Sequence, residues 1–242
     1  MGRMKTVLVT GSNDGIGKAT ALKLAVHGCA VIVHGRNEAR ATRAADEIRA
    51  TAKSDDVTWV AGDFAALEQV RGMAERLRGS HPPLDVLVNN AGIVAERREL
   101  TRDGFESTFA INHLAPFLLT NLLLDHLSTD APARIVNVSS SAHKNGRIDF
   151  EDLQMEQSFD SSAAYANSKL ANALFTRELA RRLPREEVIA NFLHPGVIST
   201  KLLHALGPGG APVADGAATP VFVALDPSVA DLSGRYGWTL TE

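Results

Sequence analysis

The sequence lacks most features that would point to a secreted, membrane-embedded or nucleic-acid-binding protein. Cys29 is the only cysteine among 242 residues, which excludes an internal disulfide and favours a reducing compartment. The formal net charge is −3, so no excess of basic residues favours nucleic acid or an anionic membrane as a partner. The chain shows no signal-peptide pattern and no apolar run of about 18 residues, which predicts no membrane span and a cytoplasmic location.

Metal and hydrolytic chemistry have equally little support. The eight histidines show no spacing typical of metal ligands, so we predict no metal site. His194, which stands before Pro195, is interpreted as a structural residue at the end of a strand. The sequence contains no Gly-x-Ser-x-Gly motif, and this absence disfavours a hydrolase.

What the sequence does have is a regular alternation of strand and helix patterns. Such alternation predicts an α/β fold with a parallel sheet and helices on both faces. A length of 242 residues and an apolar fraction of 45% suit one domain, which we predict over residues 1–242. Beyond a strand ahead of Gly11 and a helix after it, strands are predicted at 30–33, 57–61, 84–88, 134–138, 188–193 and 236–238, and helices at 39–52, 67–78, 105–127 and 164–183.

The first strand pattern is followed at once by a glycine-rich turn and then by a helix. This context is typical of a dinucleotide-binding fingerprint, in which the free N–H groups and the positive end of the helix face the phosphates. Gly11 would permit the tight turn, Gly15 would let the backbone approach a pyrophosphate, and Gly17 would let the helix pack closely on the strand. The alternative is an ordinary turn without a ligand. The residues predicted to contact the cofactor are Gly11, Ser12, Asn13, Asp14, Gly15, Ile16 and Gly17.

The end of the second strand bears on which dinucleotide would bind. An NAD site usually places a carboxylate there for the ribose hydroxyls, whereas this sequence has Gly35 and Arg36, with no acid before Glu38. A guanidinium can pair with a 2′-phosphate, so we predict NADP(H) as the cofactor, with NAD(H) less favoured. The other interpretation of Arg36 is a solvated residue that opens a helix. Asp63 and Phe64 follow the third strand and are predicted to meet the adenine ring, although Asp63 could equally cap the next helix.

Tyr165 and Lys169 form the most informative pair in the chain. They stand four residues apart in a predicted helix, so both side chains project from one face. A free tyrosine has a pKa near 10, and a nearby ammonium is expected to lower that pKa towards neutrality. The pair therefore predicts a proton donor and acceptor, although such pairs also occur on solvated helix faces.

Several motifs occur in order between residues 5 and 240. They are Thr10-Gly11 through Gly17, Asn89-Asn90-Ala91-Gly92, Asn112, Ser139-Ser140-Ser141, Tyr165-x-x-x-Lys169 and His194-Pro195-Gly196. This order resembles the short-chain dehydrogenase/reductase family. The segments 111–120, 136–143 and 168–172 are similar to its retinol-dehydrogenase-like branch. The resemblance implies a Rossmann-type doubly wound sheet of about seven strands in the order 3-2-1-4-5-6-7.

The resemblance also implies a role for each site residue. Tyr165 would exchange a proton with the substrate oxygen, and Lys169 would lower the pKa of Tyr165 and bind the nicotinamide ribose. Ser140 would hydrogen-bond the substrate oxygen, whereas Ser139 would point away from it. Asn112 would hold a water that links Lys169 to solvent. The remaining predicted cofactor contacts are Asn90, Ala91 and Gly92 on the adenosine side, and Pro195, Gly196 and Thr200 beside the nicotinamide.

Two segments are predicted to wall the substrate site. Ser140 and Tyr165 are separated by more residues than in many family members, and the extra stretch forms an insert at 144–161. The second segment is a mobile loop at about 200–216, and Val94, after the Asn-Ala-Gly turn, would add to the wall. It carries Leu202, Leu203 and Leu206 but no cluster of basic residues, so we predict an uncharged, largely apolar aldehyde, ketone or alcohol. The alternative is that these leucines only seal the core.

Three functions remain open at this point. The first is an NADP(H)-dependent oxidoreductase of the alcohol dehydrogenase or carbonyl reductase type. The second is a family member that uses the same site for another outcome, such as alkene reduction or dehydration. The third is a non-catalytic protein that binds NADP(H) as a sensor or scaffold.

The helices at 105–127 and 164–183 commonly join two subunits in the family, so a homodimer is expected. Known branch members are often longer, and some carry a membrane anchor that is not visible here.

Overall fold

The computed structural model describes residues 3–130, 132–204 and 209–237, which contain one seven-stranded sheet covered by helices. The strands are β1 (Thr6–Val9), β2 (Ala30–Gly35), β3 (Val57–Ala61), β4 (Val86–Asn89), β5 (Ala133–Val138), β6 (Val188–Leu193) and β7 (Tyr236–Gly237). The α-helices are α1 (Gly15–Val26), α2 (Glu38–Ala52), α3 (Leu67–Ser80), α4 (Ser107–Phe109), α5 (Ala115–Leu123), α6 (Ser161–Arg182), α7 (Lys201–His204), α8 (Val213–Gly216) and α9 (Ala218–Leu225). A π-helical turn (Ala110–Leu114) joins α4 to α5, and a 3₁₀ turn (Ser141–Asn145) follows β5.

The sheet confirms the predicted Rossmann-type topology. All of its strand pairings are parallel, and the order is β3-β2-β1-β4-β5-β6-β7. The chain moves outward from β1 to β3 and then crosses back to place β4 beside β1. At such a reversal the loops after the two strands separate, and the crevice between them is where ligands bind in sheets of this kind.

Helices cover both faces of the sheet because its strands are apolar on both sides. Val7 and Val9 point to the face that packs against α1, α2 and α9, whereas Leu8 points to the face that packs against α3, α5 and α6. All three side chains are completely buried. Strands buried on both faces read as continuous apolar runs, which is why the sequence revealed them.

One helical stretch, Ser107–His126, is long and apolar enough to cross a membrane by length and composition alone. This finding corrects the expectation that the chain contains no such run. The stretch breaks into several short helical segments, and its Ala115, Leu119 and Leu123 are completely buried in the core that α3 shares. Packing inside this fold therefore accounts for part of its apolar character, since 44% of its most apolar 18 residues are buried.

The predicted helices and strands are found with small shifts in their ends, except that the helix predicted at 105–127 is divided into α-, π- and 3₁₀-helical segments between Ser107 and His126. The helix that carries Tyr165 begins earlier than predicted, because the Asp160 side chain accepts a hydrogen bond from the Ala163 N–H at 2.7 Å and caps it. The insert forms no helix or strand between residues 146 and 160. Trp238 of the last predicted strand, and residues 205–208 of the predicted loop, including Leu206, lie outside the described residues.

Candidate active site

The glycine turn after β1 is built by close contacts with the loop after β4. Gly11 has φ +65°, and a Cβ there would lie 2.8 Å from the Cα of Ala91. A Cβ on Gly17 would lie 2.3 Å from the Asn90 amide nitrogen and 2.4 Å from the Gly11 carbonyl oxygen. Gly17 thus lets α1 approach the turn and the β4 loop, whereas the sequence had predicted an approach to the strand.

Gly15 is open on the side where a pyrophosphate is expected. Its φ is +54°, and a Cβ there would meet only the Thr200 side chain, at 3.8 Å. Gly15 begins α1, and Ile16 and Gly17 complete a first turn whose N–H groups have no carbonyl partner within the helix. The turn therefore offers backbone donors and space together, which suits a phosphate.

Ser12, Asn13 and Asp14 differ in how they could serve the cofactor. Ser12 is buried, and its hydroxyl donates to the Val9 carbonyl oxygen at 2.7 Å, so this side chain holds the turn onto β1. Asn13 is half-buried. Asp14 is exposed, caps α1 by accepting from the Gly15 N–H at 2.8 Å and pairs with Lys201. The hydrogen bond from Lys201 holds the pKa of Asp14 below its usual value, against an opposing effect of burial.

The residues predicted on the adenosine side lie at the ends of β2 and β3. Arg36 is exposed and lines a groove with Trp59 and Arg76. Phe64 is buried. The Asp63 carboxylate accepts from the Ala65 N–H at 3.0 Å and so stabilises the turn before α3, whose own N-cap is Ala66. Each side chain borders the same edge of the sheet as the glycine turn.

The loop after β4 is tied to the glycine turn and carries Asn90, Ala91 and Gly92. The Asn90 side-chain amide donates to the Thr10 carbonyl oxygen at 2.9 Å, and the backbone N–H groups of Asn90 and Ala91 both reach the Thr10 hydroxyl. Gly92 lies beside the catalytic candidates, since a Cβ there would be 3.3 Å from Asn112 Oδ1 and 3.5 Å from Lys169 Nζ. The glycine turn and the predicted catalytic residues therefore meet at this loop.

Tyr165 and Lys169 lie on α6 and are both buried, with 7% and 3% of their surfaces exposed. The ammonium lies 5.4 Å from the centre of the Tyr165 ring and donates to the Val138 carbonyl oxygen at 3.0 Å. The helix thus aims this side-chain pair at the carboxyl end of β5, and the solvated-helix alternative for it is wrong.

The two serines that follow β5 make different contacts. The Ser139 hydroxyl donates to the Lys169 carbonyl oxygen at 3.0 Å and so holds β5 to α6. Ser140 begins the 3₁₀ turn, its Oγ accepts from the Ala142 N–H at 3.2 Å, and its side chain hydrogen-bonds Tyr165. Ser140 and Tyr165 are therefore close enough to share one substrate oxygen.

The pKa of Tyr165 corrects one prediction. Burial raises it to about 12, and the Ser140 hydrogen bond only partly opposes this shift. The Tyr-x-x-x-Lys pattern predicts that Lys169 lowers this pKa, but in this structure the ammonium lies beside the ring and bonds the Val138 carbonyl. Burial also lowers the pKa of Lys169 to about 8. At neutral pH the phenol thus keeps its proton, as a general acid must.

Asn112 lies in the π-helical turn and is fully buried. Its Oδ1 accepts from the Ile93 N–H at 2.7 Å, and its Nδ2 donates to the Ile93 carbonyl oxygen at 2.9 Å and to Ser168 Oγ at 3.0 Å. π-Turns are rare and occur frequently at functional sites. These bonds lock the turn onto the loop after β4, close to Lys169.

The segment after β6 crosses the glycine turn. It starts with Pro195 and Gly196, the latter at φ +97°, and it brings the Thr200 methyl group to the open side of Gly15. The ion pair between Asp14 and Lys201 joins the segment to α1. Leu202 is half-buried, whereas the side chain of Leu203 lies outside the described atoms, so the predicted leucine wall is only partly visible.

The insert is attached to the segment that follows the β4 loop. Arg98 Nε donates to the Gln154 carbonyl oxygen at 2.9 Å, and Gln154 Oε1 accepts from the Glu106 N–H at 2.8 Å. At its end, the Ser161 hydroxyl donates to the Ala95 carbonyl oxygen at 2.6 Å. Phe150, by contrast, is 82% exposed and fills no pocket among the described residues.

Sequence reasoning missed a buried polar stripe on α6. Ser168, Asn172 and Thr176 recur every four residues and are all buried. The Asn172 amide donates to the Asn112 carbonyl oxygen at 2.8 Å, and its oxygen accepts from His113 Nδ1 at 3.0 Å. The signal available in the sequence was this four-residue recurrence of small polar side chains on a helix that should be buried.

The fold and these side chains together define an oxidoreductase of the short-chain dehydrogenase type. Residues 5–209 match the family model described as short chain dehydrogenase, and the chain belongs to this family. Within it, the chain falls in the retinol-dehydrogenase-like branch. Human retinol dehydrogenase 14 is 44% identical over 96% of this chain and 77% of its own length. Human retinol dehydrogenase 13 is 42% identical over 96% of this chain and 75% of its own length.

Solved structures agree with the fold. A protein from Mycobacterium paratuberculosis has a TM-score of 0.79 and 38% identity, covering 97% of this chain and 80% of its own. A short chain dehydrogenase from Shigella flexneri, complexed with NADP, has a TM-score of 0.81 and 26% identity, covering 97% and 96%. A nicotinamide dinucleotide is thus a cofactor found in this fold.

Proposed function

We propose that this chain is an NADP(H)-dependent oxidoreductase acting on an uncharged, largely apolar aldehyde, ketone or alcohol. A hydride would pass between the nicotinamide and the carbonyl or carbinol carbon. The observation that carries the proposal is the meeting of Ser140, Tyr165 and Lys169 at the carboxyl edge of the sheet, next to the glycine turn. A protein that only senses the nucleotide would have no need for this arrangement.

The residues present fit a dinucleotide with a 2′-phosphate. Gly15 leaves space at the N-terminus of α1, and Gly11 and Gly17 make contacts that a side chain would obstruct. Arg36 stands exposed at the end of β2, where no carboxylate competes for the ribose hydroxyls. The NADP in the Shigella flexneri relative and the NADPH in a metagenomic blue fluorescent protein, 28% identical with a TM-score of 0.76, support the same choice.

In the direction of reduction, the bound nucleotide would supply the hydride and this chain would supply the proton. The Ser140 hydroxyl, which hydrogen-bonds Tyr165 in this structure, would turn its proton to the substrate oxygen when the substrate binds. Tyr165 would then give its proton to the developing alkoxide. Lys169 would stabilise the phenolate that remains if, once nucleotide and substrate are bound, its ammonium turns from the Val138 carbonyl towards the phenolic oxygen, because opposite charges attract strongly where water is excluded. Asn112, in contact with the loop beside Lys169, would position the water that returns a proton.

The charge of the substrate is inferred from the segment after β6. Lys201, its basic residue, is already paired with Asp14 and so is a poor anchor for a substrate carboxylate. Val94, after β4, and Leu202, after β6, are half-buried apolar side chains. The names of the human relatives, retinol dehydrogenases, are consistent with an apolar alcohol or aldehyde as the substrate.

A carbonyl panel tests this function. NADPH consumption would be followed with aldehydes and ketones of graded chain length, each paired with a carboxylate analogue of equal size. We expect kcat/KM to rise with added methylenes and to fall with added negative charge. The opposite order would reject the apolar site. Binding of NADPH without consumption across the panel would instead favour a sensor.

We also propose that two copies of the chain associate through α5 and α6. Phe117 and Leu174 on these helices are 45% and 50% exposed, so each leaves apolar surface that a second copy would cover. Farther along α6, Glu178 pairs with Arg181 and Arg182 and remains solvated. Light scattering should show a dimer at micromolar concentration, and a single 25.8 kDa species would reject it.

A further inference from the structure

His34 is a buried histidine within the otherwise apolar strand β2, and the site described above assigns it no role. Only 3% of its surface is exposed. Its Nδ1 accepts a hydrogen bond from the Gly11 N–H at 2.9 Å, and its Nε2 lies 2.9 Å from the Gly62 carbonyl oxygen. One imidazole thus joins the glycine turn after β1 to the loop after β3.

The same residue makes further contacts with both loops. Its backbone N–H donates to the Ser12 hydroxyl at 2.8 Å, and its carbonyl oxygen accepts from the Ser12 N–H at 3.0 Å. Its ring stacks on Phe64, with the ring centres 4.7 Å apart and the planes 26° apart. Phe64 is the residue predicted to meet the adenine ring. His34 therefore contacts the two loops that would hold the adenosine and the pyrophosphate.

These bonds require a neutral imidazole with one defined tautomer. Gly11 supplies an N–H, so Nδ1 must accept, and Gly62 supplies a carbonyl, so Nε2 must donate. Burial lowers the pKa of His34 to about 4, although the Gly62 bond and the charge of Asp63 oppose this shift. The ring is thus neutral at working pH, and both of its nitrogens have a partner.

We propose that His34 is a positioning residue for the nucleotide, and this proposal rests on the proposed function. By holding the Gly11 N–H inward, His34 sets the path of the turn, so that the free N–H groups of Ile16 and Gly17 face the pyrophosphate. By stacking on Phe64, it sets the wall of the adenine site. An apolar side chain of similar size would fill the core but leave the Gly11 N–H and the Gly62 carbonyl unpaired, and the two loops would no longer be held in register.

Three substitutions separate these contacts. His34→Leu removes both side-chain hydrogen bonds. His34→Asn can keep the bond to Gly11, because an amide oxygen can occupy the position of Nδ1, whereas His34→Gln can keep the bond to Gly62. For each variant we would measure the Kd for NADPH by fluorescence titration and kcat at saturating NADPH. We expect at least a roughly ten-fold higher Kd for the Leu variant with kcat within about two-fold, and a Kd for the Asn variant close to that of wild type.

The control is Thr20→Val on α1. Thr20 is also fully buried, but its hydroxyl has no hydrogen-bond partner within the part of the chain that the structure describes. This variant should bind NADPH as wild type does. A His34→Leu variant that melts cooperatively and also binds NADPH like wild type would overturn the proposal. If that variant does not fold, the Gln variant decides the question: it loses the bond to Gly11 and should raise the Kd for NADPH, and a wild-type Kd in the Gln variant would overturn the proposal. A wild-type protein that binds neither NADPH nor NADH would instead reject the proposed function itself.

Discussion

The nucleotide side and the substrate side of this site are built by different means. On the nucleotide side, short turns are bonded to one another and to the sheet through the buried Ser12 and His34 and the half-buried Asn90. On the substrate side, the insert at 144–161 has no regular structure between 146 and 160 and is attached by a few side-chain bonds, while its Phe150 points to solvent. The nucleotide side is held in place because its donors and acceptors are paired. The substrate side has fewer such bonds, so its sequence can vary more without disturbing the fold.

This difference indicates which residues can change substrate specificity without loss of the hydride and proton transfers. The hydride and proton transfers need groups held within a fraction of an ångström, which only a packed frame provides. Substrate choice needs apolar surface of suitable shape, and loops supply this at little cost to the frame. We therefore expect substitutions on the two sides to affect different kinetic constants.

The largest effect should come from the proton donor. Tyr165→Phe removes the phenolic hydroxyl and keeps the buried ring, so the frame should remain intact. General acid catalysis typically contributes 10²–10⁴-fold, and we expect kcat to fall by about 10³-fold with the Kd for NADPH within a few-fold. Single-turnover and titration measurements would check this. A variant that kept most of its kcat would show that another group is the acid.

Lys169→Ala tests whether the residue next to the proton donor also binds the nucleotide. Lys169 is predicted to serve both the tyrosine and the nicotinamide ribose, so this variant should lose turnover and nucleotide affinity together. Loss of turnover alone would restrict Lys169 to the proton transfer.

Cofactor choice should depend on one exposed cation. Arg36→Ala should weaken the binding of NADPH but not that of NADH, because only NADPH carries the 2′-phosphate. Charge-assisted hydrogen bonds are worth about 1.5–3 kcal/mol, which corresponds to roughly ten- to hundred-fold in Kd. Arg43→Ala is the matched control, since Arg43 lies farther along α2 and pairs with Glu47. Equal losses with both nucleotides would contradict the assignment.

The pH profile follows from the buried lysine. The pKa of Lys169 is lowered to about 8, so its ammonium is present below pH 8 and is lost above it. With NADPH saturating, kcat/KM for carbonyl reduction should be level below pH 8 and fall about ten-fold per pH unit above it. Tyr165, whose pKa is raised to about 12, keeps its proton across this range and adds no second break. A level profile from pH 6 to 9.5 would show that the pKa of Lys169 does not lie near 8 or that carbonyl reduction does not need its charge.

The sequence predicted the frame well, because the frame depends on local patterns. Continuous apolar runs marked the strands and the glycines marked the turn, and Ser139 and Ser140, which follow β5, make different contacts, as an alternation of side-chain directions suggests. What it could not predict depends on contacts between distant segments. The raised pKa of Tyr165 results from burial by the whole fold, and the bond between Asn172 and the Asn112 carbonyl joins residues 60 apart in the chain.

The smallest expected effect concerns the attachment of the insert. Arg98 bonds the Gln154 carbonyl and pairs with Glu156, whereas the adjacent Arg97 pairs only with Glu99 in the described structure and does not contact the insert. A partly exposed arginine bond of this kind is worth about 1 kcal/mol, so Arg98→Ala should raise KM for the larger carbonyl substrates roughly five-fold. The Kd for NADPH should not change.

Arg97→Ala is the control for the same loss of charge and should leave both constants as they are. If Arg98→Ala raised the Kd for NADPH instead, the insert would help to hold the nucleotide, and the contrast between the two sides of the site would be wrong. If neither arginine variant changed KM for any substrate size, the insert would not wall the substrate site. An increase in KM that grows with substrate length, found only for Arg98→Ala, would place the insert against the far end of the bound substrate, because a longer chain has more surface to lose when that wall loosens.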